Sequence, residues 1–373
     1  MVKSGLVIAI VLLTASCGGS SSNARTSPSP SRASSSHSPS TSSPTSLTAS
    51  PSSAPLPTGP FGLLIAGGKL ELIDIRGAVV VSTAITQSSA SACAGGGAAL
   101  EAPPVSATSD LVYFRDGDTR IRSLARDGKT ADVTTVPGGS STVSFFSVSP
   151  DDKKIAVVVE DLSADPVKIR LYVEDLVGGG NHADIYSATA GAKGLTLWPM
   201  GWHGTSLVLA VWPVCAFEGG RLPVEWHVSD SVTAARLATI GSSSCQVGSF
   251  PSPAGVVCIR YPTKPAQATV YDWSGNAVST GAVPDIGWDS GLAPSGGRLY
   301  TIPAFAPGAP PPETDVITIA GGTATQSFPG HSACGWIDDS HILAPDAVLD
   351  LPSGGIRALA TPGTCAGRFP GGL

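Results

Sequence analysis

One pattern of short strands and turns returns about every 45 residues along this 373-residue chain, and it limits the available folds more than any other feature. A short strand runs into a turn of Ser, Pro, Asp or Gly, and an apolar strand follows. The clearest copy is Phe145-Phe146-Ser147-Val148-Ser149-Pro150-Asp151-Asp152-Lys153-Lys154-Ile155-Ala156-Val157-Val158-Val159. Leu292 to Ile302 and Phe250 to Ile259 repeat it, and looser copies start at Ser106, Gly201 and Gly335. The apolar strands centre on Leu64, Val112, Val157, Val208, Val257, Tyr300 and Ile342, at spacings of about 42 to 51 residues. Two further strands follow most centres. After Val112 they are 119–124 and 130–136, joined through Arg126-Asp127-Gly128. After Val257 they are 267–273 and 277–283, joined through Ser274-Gly275-Asn276. Asp-Gly and Gly-Asn between apolar runs are hairpin turns, because they supply residues that accept positive φ.

Four short antiparallel strands at this period form one β-propeller blade. A single such sheet cannot cover both of its apolar faces, whereas a ring of them can. The expected fold is therefore all-β, a seven-bladed β-propeller over residues 60–373, with six or eight blades as the alternatives. The Ser149-Pro150-Asp151-Asp152-Lys153-Lys154-Ile155-Ala156 run resembles the TolB-like, WD40-like propeller repeat. That resemblance implies a fold and no particular activity. Unit one lacks a first strand, since Pro60 leads straight into Phe61-Gly62-Leu63-Leu64-Ile65. Thr364-Cys365-Ala366-Gly367-Arg368-Phe369 echoes Ala333-Cys334-Gly335-Trp336-Ile337 and is expected to supply the missing strand and close the ring.

The N-terminus reads differently. Lys3 precedes an apolar run from Gly5 to Leu13, which is the length of a signal-peptide core and too short to span a bilayer. It ends in Leu13-Thr14-Ala15-Ser16-Cys17-Gly18, which resembles the lipobox of bacterial lipoproteins, with Thr14 at the position where that family usually has Leu. The resemblance implies a signal peptide over 1–16, removed on export, and diacylation (palmitate-type lipid) of Cys17. Two acyl chains hold a protein stably, at about 0.8 kcal/mol per buried CH₂. Residues 17–59 are Ser, Pro and Thr with almost no large apolar side chain, so they cannot offset the entropy of ordering and read as a disordered tether. Its root-mean-square span is roughly 35 Å. The expected location is the extracytoplasmic face of the cell membrane.

Six cysteines remain: Cys93, Cys215, Cys245, Cys258, Cys334 and Cys365. An even number in an exported chain favours disulfides, and none stands in a C-x-x-C pair, so zinc gains no support. The repeat register makes Cys215–Cys245 the preferred pair. Cys93, Cys334 and Cys365 compete for one another, and Cys258, inside a strand, has no obvious partner. Net charge is −6 with no basic block, which argues against nucleic acid.

Candidates for ligand chemistry are few. Trp202, Trp288 and Trp336 each follow a glycine at an inner strand and could stack on a glycan or peptide; equally, large residues at equivalent repeat positions wedge between blades. His203 and His331 lie beside these strands, with Asp289 near by, and a His–Asp pair could serve as a base. Their plainer role is in turns. Gly330-His331-Ser332-Ala333-Cys334 departs from G-x-S-x-G at its last position and lacks a strand–turn–helix setting. Asp116-Gly117-Asp118 and Asp151-Asp152 read as turns before they read as calcium ligands, and no cofactor or metal is expected. The chain is thus expected to be a lipid-anchored module that binds a protein or ligand at the cell envelope, with an envelope protein or glycan as its partner. The alternative is a channel-site lyase or hydrolase acting on a sugar or cell-wall fragment.

Overall fold

The computed structural model describes residues 56–373, apart from 95–97, 100–103, 192–193, 217–222, 242–244, 249, 261–264, 284–288 and 303–312. Seven four-stranded antiparallel sheets follow one another along the chain, and no helix occurs among the described residues. They form the ring of a seven-bladed β-propeller. Blade 3 shows the plan. Its strands Thr142–Val148, Lys154–Asp161, Val167–Asp175 and Ala183–Ala190 pair in sequence order from the inside outward.

Burial explains the amino-acid pattern of each strand. In the second strand of blade 3, Ile155, Val157 and Val159 pack with Tyr113 and Ile121 of blade 2. The alternate residues Ala156 and Val158 pack in a cluster with Trp198 and Leu209 of blade 4. Both faces are covered, so the strand is an unbroken apolar run and not an alternation. The outermost strand, Ala183–Ala190, has no neighbour beyond it and is mostly exposed. Turns follow the expected chemistry: Gly128 and Gly275 take φ of 81° and 83°, a conformation that costs other residues far more than glycine.

The inner strands are Val105–Ala107, Thr142–Val148, Leu195–His203, Gln246–Val247, Asp289–Leu292 and Gly335–Asp338 in blades 2 to 7. Blade 1 takes its inner strand from the other end of the chain. Thr364–Phe369 pairs antiparallel with Phe61–Ala66, with Leu64 opposite Cys365 and Phe61 opposite Phe369. A disulfide between Cys365 and Cys334 ties this strand to blade 7.

The other two disulfides correct the sequence expectation. Cys215 bonds to Cys93, not to Cys245, and Cys245 bonds to Cys258. The connection from blade 1 to blade 2 causes the first difference. It leaves blade 1 after Ala84 and passes blade 2, where the Asp116 carboxylate accepts from the Thr86 N–H at 2.7 Å. It then reaches blade 3, where Ala94 N–H donates to Leu162 O. Beyond that, Ala98–Ala99 pairs with Cys215–Ala216 of blade 4. Cys93 is thereby carried to a residue 122 positions away. The second difference is local. The inner strand of blade 5 is only Gln246–Val247, paired with Ile259 and Cys258. Cys245 precedes this strand, two residues from the Val247 that faces Cys258, and its Cα comes within 5.5 Å of that of Cys258.

Candidate functional site

The inner strands surround a central cavity of about 190 Å³. Its wall is built from small residues and aromatic rings because the seven inner strands converge there. Gly291 shows the constraint. The ring of Tyr300, from the second strand of blade 6, stands over it, and a Cβ at 291 would meet that ring at 2.4 Å. Serines contribute polar atoms that are largely engaged. Ser106 Oγ accepts from Val148 N–H at 3.0 Å, and Ser252 Oγ donates to Ala293 O at 2.9 Å.

Of the expected ligand-binding residues, Trp202 and Trp336 line the cavity. Both are buried, and each indole N–H donates to a carbonyl of the preceding blade. Trp202 reaches Ser147 O at 3.2 Å, and Trp336 reaches Gly291 O at 2.8 Å. The polar edge of each ring thus ties two blades together, and only part of the ring faces the cavity. Trp288 lies outside the described residues. His203, His331 and Asp289 are not part of the cavity wall. His203 is exposed, with Nδ1 3.2 Å from Leu373 O. His331 Nδ1 lies 3.0 Å from the Asp346 carboxylate. Asp289 begins the inner strand of blade 6, close enough for its charge to help hold the Tyr300 phenol protonated.

Three wall residues were not singled out from sequence. Arg115 is the penultimate residue of the second strand of blade 2 and is buried; its Nη1 donates to Ser144 O of blade 3 at 2.6 Å. Arg368 lies on the closing strand and is half-buried. Burial pulls its pKa below the ordinary arginine value, and the charge of Asp339 opposes that. Tyr300 is fully buried, its hydroxyl has no hydrogen-bond partner, and burial raises its pKa well above the usual phenol value. The signal for Arg368 was present: it is the one long charged side chain in an inner strand otherwise written in Thr, Cys, Ala, Gly and Phe. Among the described residues the charged side chains that line the cavity are Arg115 and Arg368.

No protein-family model matches the chain. No curated protein matches it either. Among solved structures it is similar to an oligogalacturonate lyase in complex with manganese, at 12% identity over 74% of this chain and 78% of that one, with a TM-score of 0.47. A chain of a mitotic checkpoint complex is similar at 13% identity over 87% of each chain, with a TM-score of 0.43. Prolyl oligopeptidase B from Galerina marginata is similar at 10% identity over 70% of this chain and 38% of its own length, with a TM-score of 0.42.

Proposed function

We propose that this chain is a binding module of the cell envelope. In this reading the signal at 1–16 is removed, lipid on Cys17 anchors the protein, and residues 17–59 tether a TolB-like propeller that engages an envelope protein or glycan. The composition of the cavity wall carries the reading. Serine, glycine, proline and aromatic residues with two arginines suit recognition, whereas proton transfer near neutral pH calls for a histidine or carboxylate within reach. The second reading, a channel-site lyase or hydrolase, drew on His203, His331 and Asp289, and the two histidines engage Leu373 and Asp346 instead.

Two measurements test the proposal. Cys17→Ser is expected to shift the protein from the detergent phase to the aqueous phase in a Triton X-114 partition and to abolish labelling by a palmitate analogue. Unchanged partitioning would remove the anchor. Crosslinking in cells, followed by mass spectrometry, is expected to recover a reproducible envelope partner. That partner should be lost when the propeller is deleted and retained when only the tether is shortened. Recovery of nothing beyond lipid would overturn the module reading.

A further inference from the structure

We propose that the central cavity binds a small ring-bearing carboxylate of about the size of benzoate, with Arg368 as its charge partner. The inference rests on the reading of the propeller as a binding module and names a ligand class for its cavity.

Two observations converge. The first is an uncompensated charge. Arg368 lines the cavity, and among the described residues it has no hydrogen-bonded or ion-paired partner. Its recorded electrostatic contact is the opposing charge of Asp339. A guanidinium taken partly out of water without a partner destabilises the fold unless something else supplies the negative charge. Arg115 adds a second positive charge to the same wall, already engaged with Ser144 O and with the charge of Asp118. A planar anion that accepts two N–H bonds fits the arginine fork best, which points to a carboxylate.

The second is size and surface. Trp202, Trp336 and Phe145 give the wall its flat apolar area. An apolar cavity of about 150 Å³ holds one benzene ring. The 190 Å³ found here leaves room for a ring and one carboxylate.

The experiment is thermal melting of the full chain with sodium benzoate and with benzamide, its neutral counterpart of nearly the same shape, at matched ionic strength. Benzoate at about ten times its Kd is expected to raise Tm by about 2 °C, and benzamide by much less. Arg368→Met keeps an unbranched stem without the charge and should abolish the benzoate shift while leaving the ligand-free Tm unchanged or higher, because an unpaired charge is gone. Equal shifts from benzoate and benzamide would overturn the proposal. So would a benzoate shift that survives in Arg368→Met, or the absence of any shift with the wild-type chain. Partner capture by crosslinking, repeated with Arg368→Met, separates the two readings. Capture that persists while benzoate fails removes the carboxylate site and leaves the module.

Discussion

Truncation of the chain before Thr364 is expected to abolish the folded propeller, seen as loss of near-ultraviolet circular dichroism and of a cooperative melt. The strand removed is the inner strand of blade 1. Without it Phe61–Ala66 loses its ladder on one side, and blades 7 and 2 lose a neighbour. Phe369 has no exposed surface and stacks on Phe61 with ring centroids 6.3 Å apart. Its burial alone stabilises by roughly 2–3 kcal/mol. Cys365 carries the disulfide to Cys334, across 31 residues of sequence. Closing a loop of that length is worth about 3–4 kcal/mol in the chain-entropy account. Together with the lost strand pairing, this is comparable to the whole stability of a domain, about 5–15 kcal/mol. A milder variant separates the strand from its clasp. Cys334→Ser with Cys365→Ser keeps the ladder and should fold, with a urea midpoint lowered in proportion to those 3–4 kcal/mol. If the truncated chain still melts cooperatively at the wild-type temperature, the closing strand is not what holds the ring.

Stability should also fall as pH rises from about 4.5 to 7, and Glu160→Gln should flatten that fall. Glu160 lies on the second strand of blade 3 with 1% of its surface exposed. Desolvation raises its pKa from 4.5 to about 7, and the nearby Thr196 hydroxyl of blade 4 opposes that only weakly. Thr196 pairs across its sheet with Trp212, which stacks on Trp198 at 4.4 Å. Among the described residues no cation faces the carboxyl, and its Oε1 has no hydrogen-bond partner. Between the unfolded and folded pKa values the native state holds a proton that the unfolded state releases. Stability is then complete below about 4.5 and declines by about 1.4 kcal/mol per pH unit until pH 7, on the order of 3 kcal/mol in all. Below that window the opposite sign applies. Asp74 and Asp116 have lowered pKa values, so their contribution is lost as the pH falls through them. Urea midpoints at pH 5, 6, 7 and 8 provide the check. Parallel curves for the wild type and Glu160→Gln would rule out this carboxyl as the source.

The blade was legible because everything that defines it is local. An apolar run such as Ile155–Val159, a turn such as Arg126-Asp127-Gly128, and a spacing of about 45 residues all lie within one unit. The missing first strand of unit one and its echo at 364–369 were legible for the same reason, since each is a departure from a repeat already recognised. The pairing Cys215–Cys245 failed because it assumed that cysteines on neighbouring blades meet. The blade 1 to blade 2 connection instead travels as far as blade 4, and Cys245 turns back on its own blade.

Chemistry at the centre was hidden more deeply. Trp202 and Trp336 were visible as repeated residues, but sequence could not say that their N–H groups are consumed by the preceding blade. Arg368 and Tyr300 reach the same cavity from opposite ends of the ring-closing arrangement, one on the last strand and one on blade 6. Sequence alone determined the repeat, the strand order within each blade and the strand that closes the ring, because turn preference and apolar spacing act over a few residues. Only the tertiary structure decided which cysteines bond and which side chains share a cavity. The long connection from blade 1 to blade 2 brings residues 122 positions apart to within 6.4 Å, and no local preference carries that information.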